Sequence, residues 1–130
     1  MLTWSYVAGG RGLELVGTGV VLATELLEVN RQLLEEKARL RSVRHALVSF
    51  DAAEGLEVST PQIRRIVEQD HLLAAWLPNL SIAVVANKDV QFGISRIWEA
   101  LADTVGWRIG VFRSRLQAEQ WLRGPTELEL

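Results

Sequence analysis

The sequence predicts an α/β domain, with a mixed, mainly parallel five-stranded sheet flanked by about four helices. Three observations carry that prediction. The runs Ala46–Phe50, Ile82–Ala86 and Arg108–Phe112 are apolar with little interruption, as strands covered on both faces are. Stretches with three-to-four apolar spacing fill the intervals between them. A glycine-rich hairpin precedes the first run. At 130 residues the chain has the length of one domain, enough to enclose a sizeable core. The domain is expected over residues 1–124, with 125–130 as a flexible C-terminal tail.

The hairpin pairs a short strand at Trp4–Ala8 with Leu13–Val16, which alternates as a half-buried strand does. Gly9-Gly10-Arg11-Gly12 makes the turn between them. The first helix is expected from Ala23 or Thr24 to Leu40 or Arg41. Its stripe is Leu26, Leu27, Val29, Leu33, Leu34 and Leu40, with Glu25 and Glu28 early and Lys37, Arg39 and Arg41 late, an order that complements the helix dipole. Interleaved Glu35 and Glu36 make the basic run Lys37–Arg44 a solvated helix end more readily than a phosphate patch.

The second helix opens at Ser59-Thr60-Pro61, with a hydroxyl at the cap and proline at the first helical position. Ile63, Ile66, Val67, Leu73 and Leu77 lie on its inner side, and Pro78 closes it. The third runs from about Val90 to Val105 with Ile94, Ile97, Trp98, Leu101 and Val105 inward, and Gly106 terminates it. The last opens on the capping box Ser114…Gln117, buries Leu116, Trp121 and Leu122, and stops at Gly124.

Composition narrows the function. Fourteen Lys and Arg against sixteen Asp and Glu give a net charge of −2, which disfavours a nucleic-acid binder working by phosphate neutralisation. The absence of cysteine removes disulfides, thiolate metal sites and cysteine nucleophiles. With two histidines, a zinc site would need carboxylates to complete it, and neither a metal nor a cofactor is expected. The glycine cluster lies in a hairpin, so it cannot aim a helix N-terminus at a phosphate. No apolar run approaches the ~20 residues of a membrane span, and no secretory signal opens the chain. A cytoplasmic protein of bacterial type is expected.

Open α/β sheets bind ligands beyond the carboxyl ends of their parallel strands. The loops expected there carry Asp51, Ser59, Thr60, Lys88, Asp89 and Arg113, a polar edge. Asp51 reads either as an acid or as a loop-capping carboxylate. Ser59 and Thr60 read as helix caps or as phosphorylation points. An enzyme at this edge would use Asp51 with Lys88 or Arg113. The apolar alternative lies on the second and third helices. Leu72–Leu77 is apolar on nearly every side, and Trp76 stands within it, one of five tryptophans in the chain. Leu72, Leu73, Trp76, Phe92 and Trp98 are the expected ligand or partner contacts.

The segments Leu47–Asp51, Ser59–Ile66, Ser81–Ala86, Phe92–Trp98, Val111–Arg113 and Ala118–Leu122 together resemble the SpoIIAA-like proteins, distant relatives of the STAS domain, over roughly residues 10–123. The resemblance implies a non-catalytic regulatory or binding domain. Its partner would be a protein, a second copy of the chain, or a hydrophobic, lipid-like molecule, and the last includes contact with a membrane surface. STAS domains are often switched by phosphorylation of a serine in an Asp-Ser-Ser-Gly type turn. Here the loop reads Asp51-Ala52-Ala53-Glu54-Gly55, so that serine has no counterpart.

Overall fold

A computed structural model of the chain describes residues 1–128. The element order is β1 (Leu2–Val7), β2 (Gly12–Gly17), β3 (Gly19–Leu22), α1 (Ala23–Leu34), α2 (Lys37–Leu40), β4 (His45–Ser49), β5 (Ala53–Glu57), α3 (Thr60–Ala74), β6 (Ser81–Val85), α4 (Asp89–Leu101), β7 (Arg108–Phe112) and α5 (Arg115–Leu128). The main sheet has five strands in the order β1-β2-β4-β6-β7. β1 pairs antiparallel with β2, and every other pairing in this sheet is parallel. The expected mixed, mainly parallel sheet is therefore present.

The strand order never reverses, and this decides where the helices go. Right-handed crossovers between strands laid down in one direction put every connecting helix on the same face. The packing agrees: Val29 and Leu33 of α1, Leu73 of α3 and Ile94 and Trp98 of α4 join Val48, Ile82 and Val84 in one cluster. Alternate residues of the same strands, Leu47, Ala83 and Val85, point the other way and meet Ala118, Trp121 and Leu122 of α5. Three long helices thus share one face, joined there by Leu40 of the short α2, and α5 covers the other alone. Gly110 of β7 lets α5 come close. A Cβ there would stand 2.6 Å from the Phe112 ring and 3.1 Å from Trp121.

Four details differ from the expectation. Beyond Thr18 and beyond Phe50, β2 and β4 continue as β3 and β5, which pair parallel as a separate two-stranded annex. Ala53–Glu57, expected as an open loop, is thus a strand that buries Ala53 and Leu56. The first helix is two: α1 ends at Leu34, and a turn at Glu35–Glu36 redirects the chain so that Leu40 of α2 enters the core. The expected stripe of α4 holds at Ile94, Trp98, Leu101 and Val105 but not at Ile97, which is exposed, and the polar Gln91 and Ser95 are buried beside it, Gln91 through its bond to the annex. On α5, Leu116 is 63% exposed and Ala118 takes the inner position, since only a small residue fits flush against the sheet there.

The caps are as the sequence indicates. Ser59 Oγ accepts from Gln62 N at 3.3 Å and Gln62 Oε1 accepts from Ser59 N at 2.9 Å, a reciprocal box, although the proline falls at the second helical position. Ser114 Oγ accepts from Gln117 N at 3.2 Å. α5 breaks at Gly124 (φ 65°, ψ −171°), the expected stop, and is assigned as far as Leu128. The last two residues of the expected tail lie outside the described residues.

α1 and the turn that follows it are clasped to β1 by a row of donors on alternate strand residues. Leu2 N donates to Glu25 Oε1 (3.0 Å), Trp4 Nε1 to Gln32 Oε1 (2.8 Å) and Tyr6 OH to Glu36 Oε1 (3.0 Å). Glu25 also accepts from Leu22 N through its other oxygen, and these backbone bonds hold its carboxyl below the usual range.

A candidate ligand chamber beneath three helices

The three helices on one face do not fill the space beneath them. A cavity of about 100 Å³ lies between the sheet and α1, α3 and α4. Its floor is Leu15 of β2, Val48 of β4, the adjoining Phe50, and Ile82 and Val84 of β6. Leu56 of the annex and Val58 after it form one end. Leu26 and Asn30 of α1, Ile63, Ile66 and Asp70 of α3, and Ile94, Ser95 and Trp98 of α4 form the roof. Val58 also lines a surface cleft with Leu22, Thr24, Glu57, Ser59 and Gln62, between the first turns of α1 and α3.

The roof is apolar except for Asn30, Asp70 and Ser95, of which Asp70 alone is ionisable. Asp70 is 4% exposed and sits on the buried stripe of α3. Its Oδ2 accepts from Trp98 Nε1 at 2.9 Å and its Oδ1 from Asn30 Nδ2 at 3.2 Å, so one carboxylate ties α3 to both neighbouring helices. Neither partner is a cation. Burial raises the Asp70 pKa to about 6, against the pull of the two donors. Asp70 is the only ionisable side chain among the residues lining this chamber. Its signal in the sequence is an acid at the inner three-to-four spacing of Ile63, Ile66, Val67 and Leu73.

The expected contact residues are dispersed. Trp98 lines the chamber. Leu73 lies in the core at 2% exposure. Leu72, one position away on α3, is 61% exposed. Trp76 packs against the core from the far end of α3 and is roofed by cations, Lys37 Nζ at 5.5 Å and Arg41 at 5.3 Å from its ring. The basic run after α1 thus serves partly to cover an aromatic surface. Phe92 lies under Arg113, 4.3 Å from its guanidinium. These five residues form no single surface.

The polar edge is likewise divided among separate partners. Ser49 Oγ donates to Asp51 Oδ1. Lys88 Nζ donates to the Ala53 carbonyl at 2.5 Å, alongside Gln91 Nε2 at 3.1 Å, and so fastens the annex to α4. Arg113 pairs with Asp89 at 2.7 Å. Ser59 caps α3, and Thr60 is exposed in its first turn. Among the described residues no hydrogen bond or ion pair joins Asp51 to Lys88 or Arg113. A one-directional strand order also lacks the reversal at which a carboxyl-edge crevice opens. Among the described residues no cluster of three or more His, Asp or Glu is placed to hold a metal ion, and no helix is long and apolar enough to cross a membrane.

This combination, a largely parallel sheet with three helices on one face and one on the other, defines a SpoIIAA-like fold. Among solved structures the chain is similar to an uncharacterized protein of the DUF3478 family from Shewanella loihica PV-4, whose crystal structure has that fold. The two superpose with a TM-score of 0.53 over 94% of this chain and 92% of the other, at 13% identity, a likeness that concerns the fold. No protein-family model matches the chain, and no curated protein matches it.

Proposed function

We propose that this chain is a non-catalytic, STAS-like binding domain that takes a small apolar molecule into the chamber beneath α1, α3 and α4. The observation that carries this reading is the chamber itself, a void in the middle of the main core with apolar walls and one polar end. Protein interiors hold few voids larger than a water molecule. At the cavity cost found for core truncations, an empty space of this size is worth about 2 kcal/mol of lost stability. A buried carboxylate without a cation adds to that loss. A core kept open at such cost is what a binding site requires. The surface cleft that shares Val58 with the chamber lies next to it. The separate structural partners of Asp51, Lys88 and Arg113 support a domain that binds without catalysis.

The test is calorimetric titration of the full chain with n-pentane, beside a Val84→Phe variant whose ring occupies the chamber. Saturable binding to the wild type and none to the folded variant is the expected result. No binding to either, or equal binding to both, overturns the reading.

A further inference from the structure

The polar end of the chamber specifies what a ligand must bring. Every polar atom there that is free to engage a ligand can accept. Asp70 has four lone-pair sites and spends two on Trp98 and Asn30. Asn30, with its amide nitrogen turned to Asp70, keeps its carbonyl oxygen. Ser95 adds a hydroxyl on the facing helix. No lysine, arginine or histidine lines the cavity, so an anionic head group would meet a carboxylate with no cation to compensate either charge. That excludes the carboxylate end of a fatty acid as the natural occupant, although the walls are apolar enough for its tail.

Size adds a second limit. A 150 Å³ apolar cavity accommodates benzene. About 100 Å³ therefore suits a skeleton of roughly four to six non-hydrogen atoms. We infer that the chamber selects a compact apolar molecule carrying a primary amine, whose ammonium protons meet the carboxylate of Asp70, the carbonyl of Asn30 and the hydroxyl of Ser95. The inference rests on the chamber being a binding site and goes beyond it by assigning the head group. Above the Asp70 pKa of about 6 the pair is an ammonium and a carboxylate shielded from water, a setting in which charge-assisted hydrogen bonds are strong.

Four probes of similar length separate the terms: n-butylamine, 1-butanol, n-butyrate and n-pentane, titrated at pH 7.5 into the full chain. Calorimetry gives the affinities, and the indole N–H resonance of Trp98 reports contact with Asp70. Butylamine is expected to bind about tenfold or more tightly than butyrate or pentane and to shift the Trp98 signal. Asp70→Asn is expected to remove that advantage and leave pentane unchanged. If butyrate equals or exceeds butylamine, or if a folded Asp70→Asn variant keeps the full butylamine affinity, the head-group assignment is overturned and the apolar chamber stands. If none of the four binds, both fall. Should Asp70→Asn fail to fold, the wild-type ranking of butylamine against butyrate and pentane decides alone.

Discussion

Trp98 and Asp70 face each other from neighbouring helices, the indole N–H of one 2.9 Å from the carboxylate of the other. This bond and the one from Asn30 are the hydrogen bonds that Asp70 accepts from side chains. The tryptophan is therefore both a wall of the chamber and a support of its single charge.

The first prediction concerns pH. Burial raises the Asp70 pKa to about 6 in the folded chain, from the ordinary aspartate value of 3.8. Between these values the folded state holds a proton that the unfolded state has lost, so stability falls as pH rises through that window. The contribution is fully present below about 4 and is gone above about 6, with an upper magnitude of roughly 3 kcal/mol. Urea unfolding at pH 4.5 and pH 7.5 measures it. Other carboxylates titrate nearby, so the decisive comparison is with Asp70→Asn, which should lose this share of the slope.

Trp98→Phe keeps an aromatic ring, smaller than the indole, and removes the donor. Asp70 Oδ2 then loses its partner while still buried, at an expected cost of about 1–3 kcal/mol. The lost bond favours the ionised acid, so the Asp70 titration should move above 6. Carbon-detected NMR of the carboxyl follows it directly. An unmoved titration would mean that the bond does little to hold the charge.

Val84→Ile adds one methylene to the chamber floor, where space exists, rather than to a closed core. Thermal unfolding should show a gain of about 0.5–1 kcal/mol in the absence of ligand. The same variant should bind pentane more weakly, so the two readouts move in opposite directions.

Gly110→Ala tests the other face. Its Cβ would meet the Phe112 ring at 2.6 Å, and α5 lies directly behind through Trp121. The rings must move, and a loss of about 1–3 kcal/mol is expected in denaturant unfolding. Pentane affinity should be little changed, because the sheet separates Gly110 from the chamber.

Much of this fold was legible because double-sided burial is written into sequence. Ala46–Ser49 and Ile82–Val85 are buried at every position, and only unbroken apolar runs satisfy that. The annex was not legible, since Ala53-Glu54-Gly55-Leu56-Glu57 carries one large apolar residue and takes its conformation from pairing with β3. The polar part of the inner face of α4 was not legible for a related reason. Gln91 and Ser95 look like solvent residues, yet Gln91 is buried by its bond to the Ala53 carbonyl. The chamber was half visible. Trp98 was singled out, whereas Asp70, the residue that gives the chamber its charge, was hidden by the habit of reading an acid on a helix as surface.

The one-directional strand order has a consequence for how the molecule is made. After the β1–β2 hairpin, each later strand of the main sheet joins the outer margin of those already formed, and none has to be threaded between a finished pair. A nascent chain emerging from the ribosome can therefore build this sheet in the order of its synthesis. The helix that seals the second face, α5, follows every strand of the main sheet, so until it is made that whole side of the growing domain stays uncovered.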